Sequence, residues 1–220
     1  MMATIDDILK LAGTIGLTHL ANQEIDMSDE RVSNLDYLYN ILFQEQQLRL
    51  EERRRRNRKR SRLPRKSFDY SNLSKGMTWQ LDQIRYFDYI NEIQNTLIIG
   101  KCRTGKTSLA ADIGNELINR DLFTIYITFD DFVMCARTKK TPWRYLIECK
   151  VIIIDDLFYT TPTEEDLLTF YKAVTYLNEL RSIICITNRD VSLWHNMPVD
   201  KHLLESLSIK LCYNANLLHL

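Results

Sequence analysis

The run Gly100-Lys-Cys-Arg-Thr-Gly105-Lys106-Thr107 constrains this 220-residue chain more than any other part of it. It is entered from the apolar Thr96-Leu-Ile-Ile and followed by a stretch that reads as a helix over 106–120, so it is a strand-to-helix turn. Gly-x-x-x-x-Gly-Lys-Thr in that setting is a loop shaped to hold a phosphate chain. Gly100 permits the tight turn, and Gly105 leaves room for backbone to approach phosphate. Backbone N–H groups from about Arg103 to Ser108 face a β-phosphate, aided by the positive end of the following helix. Lys106 spans the β- and γ-phosphates, and the Thr107 hydroxyl coordinates Mg2+. The candidate nucleotide-binding residues are therefore Gly100, Lys101, Cys102, Arg103, Thr104, Gly105, Lys106, Thr107 and Ser108.

A second element corroborates the loop. The apolar Val151–Ile154 ends in Asp155 and Asp156, roughly 50 residues further on. Beside a nucleotide, one aspartate (Asp155) holds the Mg2+ shell and the next (Asp156) orients the attacking water. Ser182–Thr187 ends at Asn188, where a polar side chain could meet the γ-phosphate or that water. Taken alone, an Asn after a strand is ordinary turn chemistry. Strands are expected at Thr96–Gly100, Thr124–Phe129, Val151–Asp155, Ser182–Thr187 and near Leu217–Leu220, with helices over 106–120, 164–180 and 200–213. Continuous apolar runs suit strands covered on both faces, hence a parallel sheet and a βαβ succession. The expected fold class is α/β: a P-loop NTPase core with a parallel five-stranded sheet between helices, over 81–220.

Residues 1–47 show helical periodicity, first in Ile5, Ile8, Leu9 and Leu11, then in Leu35, Leu38, Tyr39, Leu42 and Phe43. Asn22 and Ser28–Asp29 offer helix starts. The second helix is expected to run into the arginines and stop before Pro64, which makes 1–63 a small all-helical domain ending in a basic helix. Residues 64–80 read as a connector, punctuated by Pro64, Ser67, Ser71, Asn72, Ser74 and Gly76.

The formal net charge of zero hides an asymmetry. Arg49–Lys66 holds 11 Lys/Arg against two acids, leaving 18 bases and 27 acids elsewhere. Such a run stays solvated until an anion neutralises it, and nucleic acid is the commonest anion able to do so. Arg53, Arg54, Arg55, Arg56, Arg58, Lys59, Arg60 and Arg62 are the candidate DNA-binding residues. The bland alternative is a solvated helix face or a localisation tag, and pairing with the acidic body of a neighbouring copy competes with the DNA reading as well. The N-terminus carries acids where a signal peptide carries bases, and no apolar run nears the roughly 20 residues of a membrane span. Neither export nor membrane insertion is expected, and the chain is expected in the cytoplasm. Cys102, Cys135, Cys149, Cys185 and Cys212 form no CxxC pattern and read as small buried hydrophobes.

The order of a helical N-terminus, a basic stretch, Phe68-Asp-Tyr-Ser71, the loop GKCRTGKT, the strand VIIIDD and the string TNRDVSLWHNMPVDKHLLES resembles the IstB-like family. These are AAA+ helper ATPases of insertion-sequence transposition, related to the helicase loader DnaC. The resemblance covers nearly the whole chain and implies an ATP- and Mg2+-dependent protein that self-assembles on double-stranded DNA and delivers it to a transposase. It makes Asn188 the first sensor, and Trp194 is expected to pack the sheet end rather than touch ligand. Four departures stand out. Arg103 replaces a glycine common in the family, and Asp156 replaces Glu. Ile209 and Lys210 replace an Asp-Arg pair whose arginine reaches a neighbouring subunit's γ-phosphate. The chain also stops at Leu220, before the segment in which relatives carry a further basic sensor, so the core is expected to lack a C-terminal lid. An aspartate is one C–C bond shorter than glutamate, and lysine lacks the two-pronged donor of arginine. Slow ATP hydrolysis is the expectation. A DnaC-like loader of a replicative helicase and a non-hydrolysing, ATP-gated DNA scaffold remain alternatives; a small-molecule kinase is disfavoured, because no arginine-rich lid is visible.

Overall fold

A computed structural model describes residues 4–25, 34–71 and 73–220. The helix start read at Ser28–Asp29 lies outside the described residues. The chain divides into two compact units, Met1–Arg56 and Asn57–Leu220. The division falls inside a helix rather than at 63.

In the first unit, α1 (Ile5–Thr14) starts at Thr4, whose hydroxyl accepts the Asp7 N–H while the Asp7 carboxylate accepts the Thr4 N–H. That reciprocal cap satisfies two donors the first turn leaves open. Asn22 closes the short α2 (Thr18–Ala21) rather than opening a helix, its N–H turning back to Thr18 and Leu20 carbonyls. The chain enters α2 after the turn at Gly16, whose φ of +78° suits glycine. α3 (Asn34–Ser61) continues through the arginines and past the division at Arg56. Ala12, Leu20, Ile25 and Ile41 form a small core, and Ile5, Ile8 and Leu11 stay exposed.

The second unit is a five-stranded sheet in the order β2-β3-β4-β1-β5, parallel throughout. The strands are β1 (Thr96–Ile99), β2 (Thr124–Thr128), β3 (Val151–Asp155), β4 (Ser182–Thr187) and β5 (Asn216–His219). Their side chains alternate between two cores. Ile98, Ile153 and Ile184 pack with α4 (Lys75–Tyr86) and α5 (Lys106–Asn119). Leu97, Ile152, Ile154 and Cys185 pack with α6 (Phe129–Thr138), α7 (Thr141–Glu148), α8 (Glu164–Leu177) and α9 (Lys201–Cys212). Burial on both faces is why the strands read as unbroken apolar runs.

Several expectations need correction. Phe129 opens α6 instead of ending β2, because the Thr128 hydroxyl caps the helix by accepting the Asp131 N–H. Two helices, α6 and α7, fill the link between β2 and β3. α4 starts inside the supposed connector, capped by Ser74. Trp194 is fully buried, its ring edge-to-face with Phe158 at 5.1 Å. Cys135, Cys149 and Cys185 are buried, whereas Cys102 is exposed in the phosphate loop. No described helix is long and apolar enough to cross a membrane.

Candidate nucleotide-binding site

The loop leaves the C-terminal end of β1 and enters α5 at Gly105, whose φ of +90° is left-handed. A methyl group there would sit 2.8 Å from the Phe68 ring, so both backbone and space demand glycine. A methyl at Gly100 would run into the Leu220 carbonyl oxygen. Arg103 also adopts a left-handed φ, +67°. Cys102 and Arg103 are exposed, and Lys106 is 7% exposed. The Lys106 ammonium donates to the Lys101 carbonyl at 2.6 Å, closing the loop on itself. Burial lowers the pKa of this amine, while the Asp155 and Asp156 carboxylates pull it up.

The strand-end acids meet the loop. The Thr107 hydroxyl donates to Asp155 Oδ2 at 2.8 Å. The Tyr126 hydroxyl donates to the same oxygen at 2.6 Å, and the Asp156 N–H donates to Asp155 Oδ1 at 2.7 Å. Burial and the neighbouring Asp155 raise the pKa of Asp156, whose backbone is left-handed at φ +56°. Aspartate tolerates that region better than most residues. A Thr hydroxyl and a carboxylate converging on one point form an oxygen-only donor set, which suits Mg2+ completed by phosphate and water. β4 lies between β1 and β3, so Asn188, just past its end, stands at the seam between the loop and Asp155.

Beside the loop is a cavity of about 510 Å3, lined by Phe68, Leu73, Met77, Arg103, Gly105, His219 and Leu220 among others. Phe68 and Asp69 of the Phe68–Ser71 segment form part of its wall. Asp112 on α5 fixes that wall, its Oδ2 accepting the Phe68 N–H at 2.8 Å and the Tyr70 hydroxyl at 3.1 Å. The Arg85 guanidinium lies 5.0 Å from the Tyr70 ring centre and donates to its hydroxyl. Burial pushes the Tyr70 phenol up to about 12.

Lys210 is not at this site. It lies on α9, and its carbonyl accepts from Asn95, which precedes β1. That is the edge where the strands begin, opposite the loop. Among the basic residues of α3 and just beyond it, Arg53, Arg55, Arg56, Arg58, Lys59 and Arg62 are exposed, and Arg54 is half-buried. Arg58 donates to Asn119. Arg60 is differently engaged: its guanidinium lies 4.6 and 4.2 Å from the Phe123 and Tyr145 ring centres and pairs with Glu148.

Residues 7–220 match the family described as IstB-like ATP binding protein. The chain belongs to that family. An insertion-sequence IS21-like ATP-binding protein of Bacteroides fragilis is 22% identical over 205 residues, covering 89% of this chain and 78% of the relative. An insertion-sequence IS232 ATP-binding protein of Bacillus thuringiensis subsp. berliner is 24% identical over 133 residues, with 58% and 53% covered. Among solved structures, the DnaC helicase loader aligns at TM-score 0.54 and 14% identity, covering 70% of this chain and 93% of its own. DnaI aligns at 0.54 and 16%, covering 70% and 90%. The structural likenesses show that this IstB-like chain shares the α/β fold of DnaC and DnaI, with the phosphate loop at the end of β1. Tyr126, Asp112, Tyr70 and Arg85 do not stand out as site residues in the sequence, because each acts through a partner distant along the chain.

Proposed function

We propose that the chain is an ATP-dependent DNA-binding helper that assembles on duplex DNA and assists a transposase of an insertion sequence. The observation that carries this reading is the junction of loop and strand end, with the Thr107 hydroxyl 2.8 Å from Asp155. With ATP bound, the loop N–H groups and Lys106 would hold the phosphates, and the cavity beside Phe68 would take the base. Bound Mg2+, held by Thr107 and Asp155, would neutralise phosphate charge. Asp156 and Asn188 would orient water near the γ-phosphate. The exposed cations of α3 would meet the DNA backbone, a contact that positions without reading sequence. Arg60 is left out of that role, since the Phe123 and Tyr145 rings and Glu148 already take up its guanidinium.

Lys210 supports self-assembly. It sits away from its own loop, so any γ-phosphate it met would belong to a second copy. With lysine there and aspartate at 156, turnover should be slow, below about 1 s-1. Electron microscopy of the protein with duplex DNA tests the reading: ordered assemblies are expected with ATP and Mg2+ and not without them. Assembly indifferent to ATP would sink it. A clear preference for single strands together with capture of a replicative helicase would favour the loader instead.

A further inference from the structure

Tyr126 plays no part in the phosphate-loop pattern, yet it touches the carboxylate on which the proposed site turns. On β2, Tyr126 is paired with Ile153 and Thr128 with Asp155. Alternate residues of a strand share a face, so Tyr126 and Asp155 lie on the same face, one diagonal step apart. The phenol spans that step and donates to Asp155 Oδ2 at 2.6 Å. Asp155 is 3% exposed and is held at three points: Tyr126 and Thr107 on one oxygen, and its neighbour's N–H on the other. The terminal torsion of an unheld carboxylate is soft. Donors on both oxygens fix the plane of the group and therefore the direction of its lone pairs.

We propose that Tyr126 is a positioning residue for the metal-side acid, setting the orientation in which Asp155 receives Mg2+. The inference rests on the nucleotide and Mg2+ reading above and deepens it. Tyr126 does not touch nucleotide in this role; it acts through Asp155. Thr107 has a single hydroxyl proton, so it supplies one donor to Oδ2, and Tyr126 adds a second donor to that oxygen from the neighbouring strand. Partners behind a metal ligand typically change metal affinity by 10–100-fold, and the hydroxyl should act on that scale.

Tyr126→Phe isolates the effect, since the ring packs against the core beside α4 and α5 and Phe preserves that packing. The measurement is binding of a fluorescent N-methylanthraniloyl ATP to the full chain across a Mg2+ titration and in EDTA. Wild type gives a Mg2+ midpoint. Tyr126→Phe is expected to raise that midpoint about tenfold while leaving the affinity in EDTA unchanged. In an Asp155→Asn background the same substitution should raise it no further. An unmoved midpoint, equal losses with and without Mg2+, or a full additional loss in Asp155→Asn would each overturn the role. Failure of the underlying reading looks different: wild type itself would bind no nucleotide at any Mg2+ concentration.

Discussion

At Arg103 the backbone holds φ +67°, a conformation that costs a side-chain-bearing residue about 1–2 kcal/mol and glycine almost nothing. A glycine here, as the family resemblance leads one to expect, would carry no such strain. Glycine's extra freedom in the unfolded chain returns part of the gain. Arg103→Gly is therefore expected to be more stable than Arg103→Ala by roughly 1 kcal/mol in denaturant unfolding, because alanine keeps the strain. Equal stability of the two variants would remove strain from the account. The loop was legible in the sequence because its demands are local: two glycines, a lysine and a threonine act within eight residues. Tyr126 was not legible, since its partner lies 29 residues away and nothing about a tyrosine in a strand announces which carboxylate it will meet.

Elements were legible where burial writes a continuous pattern. Val151–Ile154 and Ser182–Ile186 read as strands because both faces of the sheet are covered. The link between β2 and β3 misled. Phe129, Phe132, Val133 and Ala136 carry helical spacing, but Phe129 adjoins the apolar strand and was absorbed into it. The connector shows how one carboxylate ties an element to the site. Asp112 holds both the Phe68 N–H and the Tyr70 hydroxyl, 44 and 42 residues away in sequence. Asp112→Ala should free the Phe68–Ser71 wall while leaving the phosphate loop in place. Affinity for ATP is expected to fall about tenfold, since binding must then reorder a wall that has lost both of its hydrogen bonds to Asp112, with inorganic tripolyphosphate binding unchanged in competition titrations. Equal losses for both would mean that the wall does not touch the base.

Across the whole molecule, the basic run proves to be heterogeneous. Arg49 pairs with Glu45 at 2.6 Å, and Arg60 packs beside the Phe123 and Tyr145 rings, while Arg55, Arg56 and Lys59 are exposed on the helix surface. Charge counting revealed the spike, but it could not separate cations that hold the fold from those facing solvent. What unites loop, acid and sheet is a single expectation, that the turn at 100–108 seizes a triphosphate. Calorimetric titration of the full chain with ATP and Mg2+ tests it most directly. Saturable, Mg2+-enhanced binding that Lys106→Ala abolishes is the predicted result; no heat of binding at millimolar ATP, or the same binding in Lys106→Ala, would contradict it.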